Sequence, residues 1–128
     1  MTKGIESQIQ SLKLEAVSYK KLEDYSKAES CILKALELKP EDNSLNHELA
    51  KIYFKIGKYP DCLELLLILS DKIKRRQILF KDIAMCYYKM NKMDKSLEAV
   101  QHSLSENPDN ISSLYVEGLI QKELGNFQ

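Results

Sequence analysis

The chain has 128 residues, enough for one domain with a single core. Lys plus Arg number 19 and Asp plus Glu number 19, so no global charge points to nucleic acid or to an acidic substrate. A hydrophobic fraction of 44% excludes a disordered chain, and the longest unbroken apolar run, Leu65–Leu69, is far short of the roughly 18 residues of a membrane helix. The start, MTKGIESQ, lacks the apolar segment of a leader. A cytoplasmic, reducing location is expected, with a nuclear one also open.

The predicted elements follow in chain order. Residues 1–8 read as an extension; Ile5 and Ile9 are one helical turn apart, so the first helix either begins early or follows a frayed tail. That helix runs from about Ile9 to Leu22, with Leu12, Ala16 and Tyr19 at helical spacing. Asp24 is the expected cap of a second helix, about Tyr25 to Leu38, which is lined by Ala28, Ile32 and Ala35 and stopped by Lys39-Pro40. A third helix is expected to start from a cap at Asn43, to face its partner with Leu49, Ala50 and Tyr53, and to end at Gly57 in a left-handed conformation. Pro60 fits the first turn of the fourth helix, CLELLLILS. Next comes DKIKRRQ, whose basic residues Lys72, Lys74, Arg75 and Arg76 suit either a solvated loop beside a helix C-terminus or a nuclear localisation or phosphate contact. Ile83, Ala84, Tyr87, Leu97 and Val100 carry the next helix pair. A turn at Asn107–Asn110 leads to a last helix with Leu114, Gly118 and Leu124, followed by Gly125 and Phe127.

These elements are one unit copied. Ala16, Ala50 and Ala84 recur at intervals of 34 residues, with Gly118 one step on; Tyr19, Tyr53 and Tyr87 keep the same interval, as do Gly57, Asn91 and Gly125. A period of that size marks a stacked helical array, in which no unit buries its apolar face alone. The stretches AVSYKKLEDYSKAESCILKALELKP and AMCYYKMNKMDKSLEAVQHSLSENP resemble tetratricopeptide repeats. The features that match are Ala16 and Tyr19 on the first helix, Tyr25, Ala28, Ile32 and Ala35 on the second, and Pro40 at the end. Cys62 and Ser96 stand where the first unit has Ala28, Leu69 and Ser103 where it has Ala35, Lys74 where it has Pro40, and Gln121 where the tyrosine would fall. The resemblance implies an all-α, right-handed superhelical stack of antiparallel helix pairs. Its frame is 9–42, 43–76 and 77–110, with a partial fourth unit over 111–128, as if cut from a longer repeat protein.

The family uses the first helices of its units to line a concave groove for an extended peptide or partner helix. The register puts Lys13, Val17 and Lys20 in that groove from the first unit, Lys51, Phe54 and Lys55 from the second, and Ile78, Lys81, Met85, Tyr88 and Lys89 from the third. Leu14, Lys21, His47, Glu48, Asp82, Tyr115, Val116, Leu119, Lys122 and Glu123 complete it. Lysines outnumber carboxylates there although the whole chain is neutral, so the expected ligand carries acidic and apolar side chains. Fully burying one aromatic is worth about 1.5–3 kcal/mol, against about 0–1 kcal/mol for an exposed ion pair. Phe54 and Tyr88 are therefore expected to supply affinity and the lysines approach and register.

Family members that clamp the acidic tail of heat-shock chaperones need a set of lysine, asparagine and arginine side chains. The matching positions here are Lys13, Val17, Glu48, Ile78 and Asp82, of which only Lys13 agrees; no chaperone-tail clamp is expected. The asparagine ladder of the glycosyltransferase branch is also missing, its places being held by Leu14, Glu48, Asp82 and Val116. Leu65 and Ile68 fall on the convex side of the fourth helix and form a candidate second contact surface, for self-association or for a neighbouring domain of a larger enzyme.

Nothing in the residues suggests catalysis. The four glycines form no phosphate-binding loop, and the paired carboxylates Glu23-Asp24 and Glu41-Asp42 fall in turns, where capping accounts for them. Cys31, Cys62 and Cys86 have neither disulfide-framework nor metal-ligand spacing and are expected to be buried and reduced. No cofactor, metal or small-molecule substrate is expected.

Overall fold

The computed structural model describes the backbone of residues 2–73 and 76–125 and the side chains of residues 4–73 and 79–125. Lys74, Arg75, the side chains of Arg76 and Ile78, and Phe127 lie outside the described residues. The described residues form seven helices, which fall into two compact units divided between Lys58 and Tyr59.

The first unit holds α1 (Thr2–Lys21), α2 (Tyr25–Leu38) and α3 (Asn43–Lys55). Helix α1 is continuous from Thr2, so residues 2–8, ahead of the repeat frame, are helical. Its core is built from small and branched side chains: Ala16, Ala28, Ile32, Ala35, Leu45, Leu49, Ala50 and Ile52 are all buried. Alanines at the helix contacts let the backbones approach, and the branched residues fill the space between them. Asp24 caps α2 as expected, accepting a hydrogen bond from Lys27 N at 3.2 Å. The cap of α3 is Asp42, not Asn43: its Oδ1 accepts from Leu45 N at 3.0 Å, and Asn43 is the first helical residue. Asn46 Nδ2 braces the same turn by donating to the carbonyls of Pro40 and Asp42.

The second unit holds α4 (Tyr59–Ser70), α5 (Arg76–Lys89), α6 (Met93–Glu106) and α7 (Ile111–Glu123). Cys62, Leu66, Leu69, Leu79, Ile83, Ala84, Cys86, Val100 and Ile120 form its core. Ser96 and Ser103 occupy small-residue positions, and both are fully buried with their hydroxyls paired. Ser96 Oγ donates to the Ala84 carbonyl at 2.6 Å, and Ser103 and Ser113 join at 2.7 Å. Asn110 caps α7 by accepting from Ser113 N at 2.9 Å. On α7 the buried residues are Ser113, Val116 and Ile120; Leu114, expected to carry the repeat pattern, is exposed because no described helix follows to cover that face.

The turns between the paired helices share one geometry. The carbonyls of Tyr19, Tyr53 and Tyr87 accept from the backbone N–H five residues on, at Asp24, Lys58 and Lys92, at 2.8 to 2.9 Å. The residue before each donor is left-handed: Glu23 (φ 58), Gly57 (φ 84) and Asn91 (φ 61). Gly57 and Asn91 suit that conformation, whereas Glu23 is strained by its Cβ. Glu23→Gly is accordingly expected to raise the unfolding free energy by about 0.5–1 kcal/mol, less than the full strain because glycine also loosens the unfolded chain. A thermal melt that moves down instead would contradict the strain.

Candidate functional site

The candidate residues lie on the first helices of the repeats, α1 and α3 in the first unit and α5 and α7 in the second. In the first unit, α1 presents Lys13, Val17 and Lys20 at intervals of four and three residues, on one face. Helix α3 presents Lys51, Phe54 and Lys55. Val17 is 42% exposed and Phe54 half-buried, so apolar surface on this face stays open to a partner. The lysines are not all free to receive one. Lys20 Nζ lies 2.7 Å from Glu48 Oε2, and Lys51 Nζ is 3.5 Å from Oε1 of the same carboxylate. Lys13 Nζ reaches Ser44 Oγ at 3.5 Å. Burial alone would raise the Glu48 pKa. The hydrogen bond and charge of Lys20, with those of Lys51, outweigh it and hold the carboxyl below the usual glutamate range.

In the second unit, α5 presents Lys81, Met85, Tyr88 and Lys89. Lys81 pairs with Asp82 at 3.4 Å. Lys81 and Met85 border a cleft of about 450 Å³ completed by Ile111, Ser112, Tyr115 and Val116 of α7. Val116 is 4% exposed and so forms the floor of this cleft, not part of the open groove wall that its register suggested. Ile111 is 82% exposed, and sequence reasoning missed it. Its signal was available: it follows the Asn110 cap and lies one helical turn before Tyr115.

On α4, Ile68 is 48% exposed while Leu65 is half-buried. The uncovered neighbour of Ile68 is Leu67, which lines a cleft of about 290 Å³ with Phe80, Ile83, Tyr87, Ala99 and His102. The Phe80 and His102 rings stack there with centroids 5.0 Å apart. The three cysteines are buried free thiols. Cys62 and Cys86 Sγ lie 3.3 Å apart, and this contact together with burial pushes the Cys86 thiol pKa up. Among the described residues no group of three or more His, Cys, Asp or Glu side chains could hold a metal ion, and no helix is long and apolar enough to cross a membrane.

A family model for the tetratricopeptide repeat matches residues 9–42 and 82–110. The chain carries tetratricopeptide repeats over these two stretches. Its all-α repeat fold is the one expected from the 34-residue register. Among curated proteins, this repeat chain is similar to Hsp70-Hsp90 organizing protein 3 of Arabidopsis thaliana, 31% identical over 121 residues. The match covers 84% of the chain but only 22% of that protein, so the chain spans about a fifth of the curated relative's length. Among solved structures, it is similar to the first repeat domain of Spaghetti (RPAP3) bound to the HSP90 peptide SRMEEVD. That match has a TM-score of 0.81, 17% identity and coverage of 93% of this chain and 94% of that one. The second repeat domain of human RPAP3, in complex with the HSP70 peptide SGPTIEEVD, matches with a TM-score of 0.79 and 17% identity, over 91% and 98% of the two chains. At these identities the structural likeness shows the fold alone.

Proposed function

We propose that the chain is a non-enzymatic protein–protein interaction module, part of a scaffold or adaptor, that holds an extended peptide or partner helix with acidic and apolar side chains. The observation that carries this reading is the uncovered apolar surface lying within one turn of lysines on the first helices. Val17 lies between Lys13 and Lys20, Phe54 follows Lys51, and Met85 and Tyr115 share a cleft with Lys81. The peptides held by the two RPAP3 domains, SRMEEVD and SGPTIEEVD, combine the same two chemistries. This chain differs from a chaperone-tail clamp at Val17, Glu48, Ile78 and Asp82, and two of these place carboxylates where an acidic tail would sit. The reading is therefore an acidic–apolar ligand recognised without that clamp. Three buried free thiols suit a reducing, intracellular setting.

An array of ten-residue peptides in which carboxylates and apolar residues vary independently tests the proposal. Retained peptides are expected to carry both, and Phe54→Ala or Tyr88→Ala is expected to weaken each by about 10- to 100-fold, the loss of about 1.5–3 kcal/mol of aromatic burial. Equal retention of peptides lacking either class would overturn it. Tight binding of SRMEEVD by the native chain would overturn the exclusion of the clamp and leave the interaction face standing.

A second reading rests on the exposure of Leu67 and Ile68 on α4. There the chain self-associates, or contacts a further domain, through the second helix of the second repeat. Light scattering of the native chain and of Ile68→Asp separates the two: a dimer lost in the variant favours the α4 surface, and a monomer at every concentration removes self-association.

A further inference from the structure

We infer that Glu48 is an internal ligand: it occupies the carboxylate-binding position between Lys20 of α1 and Lys51 of α3 and so sets the specificity of that face against partner carboxylates. The inference rests on the proposed peptide-binding role of the first helices and assigns a residue that selects among ligands there.

The geometry is that of a bound anion. One carboxylate oxygen takes a 2.7 Å contact from Lys20 Nζ across the space between two helices, and the other takes a 3.5 Å contact from Lys51 Nζ one turn along its own helix. The glutamate side chain is 27% exposed and that of Lys20 29%, so the pair is partly withdrawn from water and screened less than a surface pair. A short, charge-assisted hydrogen bond of this kind is roughly twice as strong as a neutral one. A partner carboxylate arriving here meets two ammonium groups already paired and a like charge within a few ångströms. It must displace Glu48 or go elsewhere.

A neutral polar or apolar group meets no such cost. Val17 and Phe54, both on the same two helices, supply an apolar neighbour for it. The face of the first unit therefore selects a partner whose acidic side chains do not fall at the Lys20–Lys51 position. The lysine count alone points the other way, because it treats Lys20 and Lys51 as open anion contacts. This is discrimination by an unfavourable arrangement against the wrong ligand, as well as attraction of the right one.

Fluorescence anisotropy at low ionic strength, with the labelled peptide SRMEEVD as probe, tests the assignment on the whole chain. Glu48→Gln is expected to bind the probe about tenfold more tightly than the native chain, the gain of one charge-assisted hydrogen bond to a carboxylate. Glu37→Gln, which removes the same charge from the exposed surface of α2, is expected to change affinity less than twofold. Adding Lys20→Ala to Glu48→Gln is expected to abolish the gain. Three outcomes overturn the inference: no gain in Glu48→Gln, an equal gain in Glu37→Gln, or a gain that survives loss of Lys20. Phe54→Ala run beside them keeps the two readings apart. If Phe54→Ala weakens binding while Glu48→Gln has no effect, the face binds peptide and Glu48 does not select. If Glu48→Gln gains through Lys20 while Phe54→Ala has no effect, Glu48 gates a carboxylate and the apolar part of the proposed function fails.

Discussion

Leu66→Ala is expected to cost about 2–5 kcal/mol of unfolding free energy, and Ile68→Ala no more than about 0.5 kcal/mol. The two residues are two positions apart on α4 and similar in size, but Leu66 is 1% exposed and Ile68 48% exposed. Truncating Leu66 removes buried apolar area and leaves a cavity that a close-packed interior refills only in part. Truncating Ile68 changes a side chain already half in water. Urea denaturation followed by far-ultraviolet circular dichroism measures both. Equal losses would mean that α4 is not held by the face described.

The second large effect lies in the buried hydroxyls. Ser103→Ala is expected to destabilise by about 1–3 kcal/mol, because Ser113 Oγ, 2.7 Å away and fully buried, loses that partner and cannot reach water. The Ser103→Ala, Ser113→Ala double variant is expected to lose less than the sum of the two single losses, since the two hydroxyls share one hydrogen bond. Strict additivity in this double-mutant cycle would show that the pair is not coupled.

Much of the fold was legible in the residues because the repeat sets the same physical task three times. Small residues at Ala16, Ala50 and Ala84 let helices approach, and all three are buried. Left-handed turns were readable at Gly57, Asn91 and Gly125, residue types that tolerate positive φ. The matching turn at Glu23 was not, because glutamate gives no such signal and only the surrounding turn forces it. Asp42 and Asn43 are both competent caps, and adjacent caps cannot be ranked by type alone. Along Leu65–Leu69 every residue is apolar, so helical periodicity carries no contrast and does not tell that Leu67, not the half-buried Leu65, is the open neighbour of Ile68.

The candidate face was legible as a set of positions but not as a set of interactions. Lys20 and Lys51 stand on the first helices where the register puts them, yet both ammonium groups are turned to Glu48. Sequence spacing shows which side chains share a helix face; it does not show which of them pair across two helices. Val116 follows the same logic. Its equivalents in the earlier repeats are Glu48 and Asp82, half-buried polar residues, whereas Val116 is almost fully buried as the floor of an apolar cleft.

The most direct test of the central claim is a two-dimensional amide NMR titration of the labelled chain, up to millimolar concentration, with an acidic–apolar peptide retained from the array. The account predicts saturable shifts confined to the first helices, α1, α3, α5 and α7, including amides at Val17, Phe54, Met85 and Tyr115. Shifts confined to α2, α4 and α6, or no shifts at all, would contradict it.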